Sequence, residues 1–113
     1  MTNLSDLDVD SIQIALNNQA LVADGAITIT EGVVTMTRAG AIVAATLGAP
    51  TAGVDDFKRL TIVSKGAAGQ AHTVTAVAGV LVATFSNVIG DCIDLIAYNG
   101  RWEIVGTHQV TAA

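Results

Sequence analysis

From residue 25 onward, apolar and polar residues alternate with a period of two, which sends successive side chains to opposite faces of a strand. Ala26-Ile27-Thr28-Ile29-Thr30 reads this way, and so does Val33-Val34-Thr35-Met36-Thr37 after Glu31-Gly32. Two such runs flanking a Gly-containing pair predict a β-hairpin. Residues 41–47 make a third run, closed by Gly48-Ala49-Pro50, and 50–56 has the Pro, Gly and Asp content of a structured loop. Further runs follow at 58–64, 72–77, 80–85 and 92–98. The clearest turn comes last: Asn99-Gly100, the dipeptide that type I′ turns favour, divides 92–98 from 101–105. Strands at this spacing predict an all-β domain, a small β-sandwich or barrel of about eight short antiparallel strands.

Residues 1–24 do not share the pattern and are read as an N-terminal arm preceding a β domain over 25–113. Asp10 or Ser11 is placed to cap a short helix carrying Ile12, Leu16 and Gln19. Ile12 and Ile14 also alternate with Ser11 and Gln13 as in a strand, and Asn17-Asn18 has turn character. Both readings stay open.

Composition changes the picture in one respect. The chain has 113 residues, enough for one domain, and folding should bury about 65% of its surface. Yet 51% of residues are hydrophobic and only 13% are charged, against about 25% in an ordinary soluble domain. Phe57, Phe85, Tyr98 and Trp102 are the only aromatic residues. A short chain with so few charges must leave apolar surface exposed, and such surface marks interfaces. Association with copies of itself is the expectation.

Charge is uneven as well. Residues 1–37 hold Asp6, Asp8, Asp10, Asp24 and Glu31 with no Lys or Arg, so the net charge of −5 belongs to that third. With no basic stripe, direct nucleic-acid binding is not expected. Residues 66–90 carry no Asp, Glu, Lys or Arg, but Gln70, His72, Thr73, Ser86 and Asn87 leave too short an apolar core for a membrane span. The start lacks the basic and apolar regions of a signal peptide, so the expected site of synthesis and residence is the cytosol, unless a particle carries the protein elsewhere.

Candidate chemistry is sparse. Cys92, the single cysteine, lies in an apolar run and is read as a buried inert thiol. His72 and His108 lack metal-ligand spacing, and His72 is read as a hydrogen-bonding structural residue. Asp55-Asp56 offers oxygens for Ca²⁺, but a turn in which Asp accepts backbone N–H bonds is the favoured reading. Asp91 and Asp94, three apart on a strand, point to opposite faces and do not form an acid/base pair. Gly66-Ala67-Ala68-Gly69 lacks the Lys and Ser/Thr of a phosphate loop. Trp102, between Arg101 and Glu103, should face the core. No catalytic, cofactor or metal residues are assigned, and an enzyme is not expected.

A set of short pieces between Gly32 and Val105 resembles a module of tailed-phage virion proteins. The pieces are Thr35-Met36-Thr37, Leu47-Gly48-Ala49-Pro50-Thr51-Ala52-Gly53-Val54-Asp55-Asp56, Lys58-Arg59-Leu60-Thr61-Ile62, Ala71-His72-Thr73-Val74-Thr75, and Gly90-Asp91 leading to Ala97-Tyr98-Asn99-Gly100-Arg101-Trp102. The resemblance implies a β-rich structural protein, such as a trimeric capsid decoration (cement) protein that binds the major capsid protein, located on the virion and made in the host cytoplasm. The alternative it implies is a fibre or tail adhesion module for a surface glycan or receptor. Residues 1–24 lie outside the resemblance. Their acidic positions Asp6, Asp8 and Asp10 are assigned to capsid docking on charge alone, an association that salt would weaken.

Overall fold

The computed structural model describes residues 17–38, 40–65, 71–76, 82–86 and 89–112. They form ten strands: β1 (Asn18–Leu21), β2 (Gly25–Ile27), β3 (Gly32–Met36), β4 (Ala44–Leu47), β5 (Arg59–Ser64), β6 (Thr73–Ala76), β7 (Val82–Phe85), β8 (Cys92–Tyr98), β9 (Arg101–His108) and β10 (Val110–Ala112). The strands divide into two five-stranded sheets, ordered β1-β3-β5-β8-β9 and β10-β7-β6-β4-β2. The fold is a small all-β sandwich and not a closed barrel. Among the described residues there is no helix, so none that could cross a membrane.

The path of the chain departs from the antiparallel expectation. Successive strands β1 to β6 alternate between the sheets, and the first four each pair in parallel with the strand two places on: β1 with β3, β3 with β5, β2 with β4, β4 with β6. These six strands make three turns of a flattened coil. Each sheet is then extended by two antiparallel strands, β8 and β9 on the first and β7 and β10 on the second. A period of two fixes which face a side chain takes but not the direction of the neighbouring strand, which is why the sequence could not separate the two topologies.

The hairpin expected about Glu31-Gly32 is the plainest correction, because β2 and β3 lie in different sheets. Gly32 instead opens β3 with φ +118°, and a Cβ there would stand 1.9 Å from the Asn17 carbonyl oxygen. Glycine is needed for close approach of β1, whose Asn17 carbonyl accepts the Val33 N–H (3.2 Å). Asn17-Asn18 is correspondingly a strand start and not a turn. β1 therefore lies within the stretch read as an arm, with Leu21 in the core. The helix considered over residues 12–19 lies mostly outside the described residues, and its described end, Asn18-Gln19, is strand.

The core is one cluster between the sheets. Val34, Met36, Leu60, Ile62, Ile93, Leu95 and Trp102 come from the first sheet, and Ala45, Leu47, Val74, Ala83 and Phe85 from the second. Every one of these side chains follows the two-residue alternation seen in the sequence.

Candidate interaction surface

Two ends of the sandwich and two outer sheet faces carry the polar and exposed groups. At one end, the 51–58 loop meets the β8–β9 turn. Asp55 organises the loop: its Oδ2 accepts the Thr51 N–H (2.8 Å) and its Oδ1 accepts Lys58 Nζ (2.9 Å). The Thr51 N–H first, and then Lys58, hold the Asp55 carboxyl below its usual range. Asp56 Oδ1 accepts the Asn99 N–H (2.9 Å), tying loop to turn. The turn reading of Asp55-Asp56 is thus the one the structure supports. The type I′ character of Asn99-Gly100 is also found, with φ of +53° and +78°.

The result of this bracing is an aromatic pair on the surface. Phe57 has φ +70°, a left-handed conformation costly for a bulky residue. It is fixed by its N–H donating to the Ala97 carbonyl (2.6 Å), while the Ala97 N–H donates to the Lys58 carbonyl (2.9 Å). The Phe57 and Tyr98 rings lie 5.5 Å apart at 38°, and the two residues are 68% and 53% exposed. The other two aromatic residues, Phe85 and Trp102, are in the core. Trp102 faces inward between exposed Arg101 and Glu103, as its position required, and its Nε1–H donates to the Gly48 carbonyl (2.9 Å). An exposed aromatic pair was not foreseen; the only available signal was an apolar Phe directly after the Asp-Asp turn.

The far end of the sandwich is polar inside. His72 is buried, and its Nδ1 accepts the Val43 N–H (2.8 Å). Burial holds the imidazole below its ordinary value of 6.5, so its neutral acceptor form is the favoured one. Asp91 and Ser64 are buried at the same end, with Ser86 joined to the Asp91 carboxylate by a hydrogen bond. Asp94, by contrast, lies on the outer face and accepts Thr61 Oγ1 (2.6 Å). Asp91 and Asp94 are separated as their spacing implied.

Cys92 differs from expectation. It is half-buried on the outer face of the first sheet, in register with His108, rather than inside the core. Its thiol is pushed up, mainly by burial and then by Asp94 and Asp91, which disfavours the reactive thiolate. The outer face of the second sheet is different in kind: its described exposed positions Ala44, Thr46, Thr75, Val82, Thr84 and Thr111 are uncharged, with Asp24 at the rim accepting the Ala44 N–H (2.9 Å). Among the described residues, no three His, Cys, Asp or Glu side chains stand together as metal ligands. Asp6, Asp8 and Asp10 lie outside the described residues.

Comparison with protein-family models, with curated proteins and with solved structures gave no match.

Proposed function

We propose that this chain is a non-catalytic structural protein that assembles with copies of itself, as a trimer, and decorates a phage capsid by binding the major capsid protein. The observation that carries assembly is the outer face of the second sheet, uncharged at its described exposed positions, on a chain whose net charge is −5. A flat face of Thr, Ala and Val loses little on desolvation and packs closely against another such face. The assignment to a virion surface, after synthesis in the host cytoplasm, rests on the resemblance to tailed-phage modules. Asp6, Asp8 and Asp10 are the proposed capsid contacts.

Light scattering on the purified protein tests assembly: a trimer mass that persists at high salt is expected if apolar contact holds it together. Co-sedimentation with phage heads tests decoration. A monomer that fails to sediment with heads would sink the proposal.

One observation favours a second reading. Adhesion to a glycan needs an exposed aromatic cluster, and Phe57 with Tyr98 provides one, flanked by Asn99 and Arg101. Glycan-array binding by the assembled protein, abolished by Phe57→Ala and Tyr98→Ala, would favour adhesion over decoration.

A further inference from the structure

Asp91 is 1% exposed, and its Oδ1 is the one fully buried side-chain polar atom among the described residues without a hydrogen-bond partner. Its other oxygen is engaged by Ser86. The residue is locked in place: the Ser64 N–H donates to the Asp91 carbonyl (2.8 Å) and the Gly90 N–H donates to the Ser64 carbonyl (2.8 Å). This brings the buried residues Ser64 and Asp91, from β5 and the start of β8, next to each other, and Ser86 reaches Asp91 from the end of β7 in the opposite sheet.

A carboxyl group taken out of water needs a partner for each of its oxygens, and leaving one without is costly. Among the described residues, no lysine or arginine supplies one. The five Lys and Arg residues all lie among the described residues, and none pairs with Asp91. Arg38 is engaged by Asp24, Lys58 by Asp55 and Arg101 by Glu103. Arg59 begins β5 at its far end, and Lys65 is exposed. His72, buried at this end, uses Nδ1 as an acceptor and brings no positive charge.

We infer that Asp91, with the hydroxyls of Ser86 and Ser64, forms a binding site for a hard, oxygen-seeking cation of the calcium class that links the two sheets. A carboxylate with two hydroxyls is an all-oxygen donor set, and its single charge places the affinity at the weak end, of the order of 10⁻⁴ to 10⁻³ M. The cation would pin the start of β8 to the end of β7, at the two ends of the short connection between them. Occupancy stabilises the folded state because the unfolded chain has no such site.

The test is thermal unfolding of the full chain in EDTA, in CaCl₂ up to about ten times the expected dissociation constant, and in NaCl of matched ionic strength. Calcium should raise Tm by about 5 °C over the salt control, and both Asp91→Asn and Ser86→Ala should abolish the rise. Because Asp6, Asp8 and Asp10 could bind calcium loosely, a rise that survives in Asp91→Asn overturns the proposal. So does an unmoved Tm in the unaltered protein. Should Asp91→Asn fail to fold, calorimetric titration of the unaltered protein with CaCl₂ decides: about one bound ion per chain lost in Ser86→Ala supports the site, and no saturable binding overturns it.

Discussion

Two aspartates sit at opposite ends of β5, and the chain treats them differently. Asp55, before the strand, has both oxygens satisfied, one by the Thr51 N–H and one by Lys58. Asp91, beside the end of the strand, is more deeply buried and has one oxygen without a partner. The first carboxylate closes its own loop. The second leaves one carboxyl oxygen facing the interior without a partner. Burial alone therefore says little about what a carboxylate does; the supply of N–H groups and cations around it decides. One end of the sandwich is finished by its own residues and plugged by Trp102, while the other keeps a polar interior of His72, Ser64, Ser86 and Asp91.

The largest effect is expected at the finished end. Trp102→Ala removes the biggest core side chain and its bond to Gly48, and should cost about 3–5 kcal/mol in denaturant unfolding. If the loss is much smaller, this end is not the better packed of the two. At the polar end, His72→Leu leaves the Val43 N–H buried without an acceptor and should cost about 1–3 kcal/mol. Its pH dependence has a definite sign. The folded value is depressed, so the contribution of His72 is complete above 6.5 and declines as pH falls and the unfolded chain takes up the proton. A pH series should therefore show the unaltered protein losing stability below 6.5, and His72→Leu losing less over that interval.

Smaller effects separate packing from surface use. Phe57→Gly relieves a left-handed backbone while giving up only exposed ring contact, so stability should stay within about 1 kcal/mol of the unaltered protein. A mass or binding assay that nevertheless changes would identify the aromatic pair as a contact. The smallest change is expected from Asp55→Asn, which loosens the loop without touching the core. Faster amide exchange at Thr51 is the readout. Since the Asp55 carboxyl is held below its ordinary 3.8, its contribution is present above that value and is lost as pH falls through the folded one. The difference from Asp55→Asn should vanish in strong acid.

Much of this was legible in the chain. The inward faces of β5 and β8 could be read from alternation, as could Trp102 between two charges, and Asn99-Gly100 marked its turn directly. The coil could not be read. A parallel neighbour and an antiparallel one demand the same alternation, and Glu31-Gly32 looks like a hairpin turn unless one knows that Asn17 passes beside it. β1 was hidden because Asn17-Asn18 has turn composition, and its pairing partner β3 is supplied from farther along the chain. The exposed Phe57 was hidden for a related reason. Its outward setting comes from the Ala97 carbonyl, forty residues away in sequence. Asp55 and His72 were read for what they are, because turn aspartates and strand-start histidines are satisfied locally or by one backbone group.

The alternation of β1 to β6 between sheets also bears on how the molecule forms. No two consecutive strands among these six pair with each other, so no parallel ladder can close until the chain has travelled through the opposite sheet and back. Among the described strands, only β8 and β9, across Asn99-Gly100, form a hairpin with a two-residue loop. Loop closure must be completed before most of the sheet is rewarded, which puts refolding in the slow range, about milliseconds to seconds. During that interval the apolar strands of half-made turns stand exposed. A chain this poor in charge then meets copies of itself before it is complete, so refolding yield should fall steeply with protein concentration.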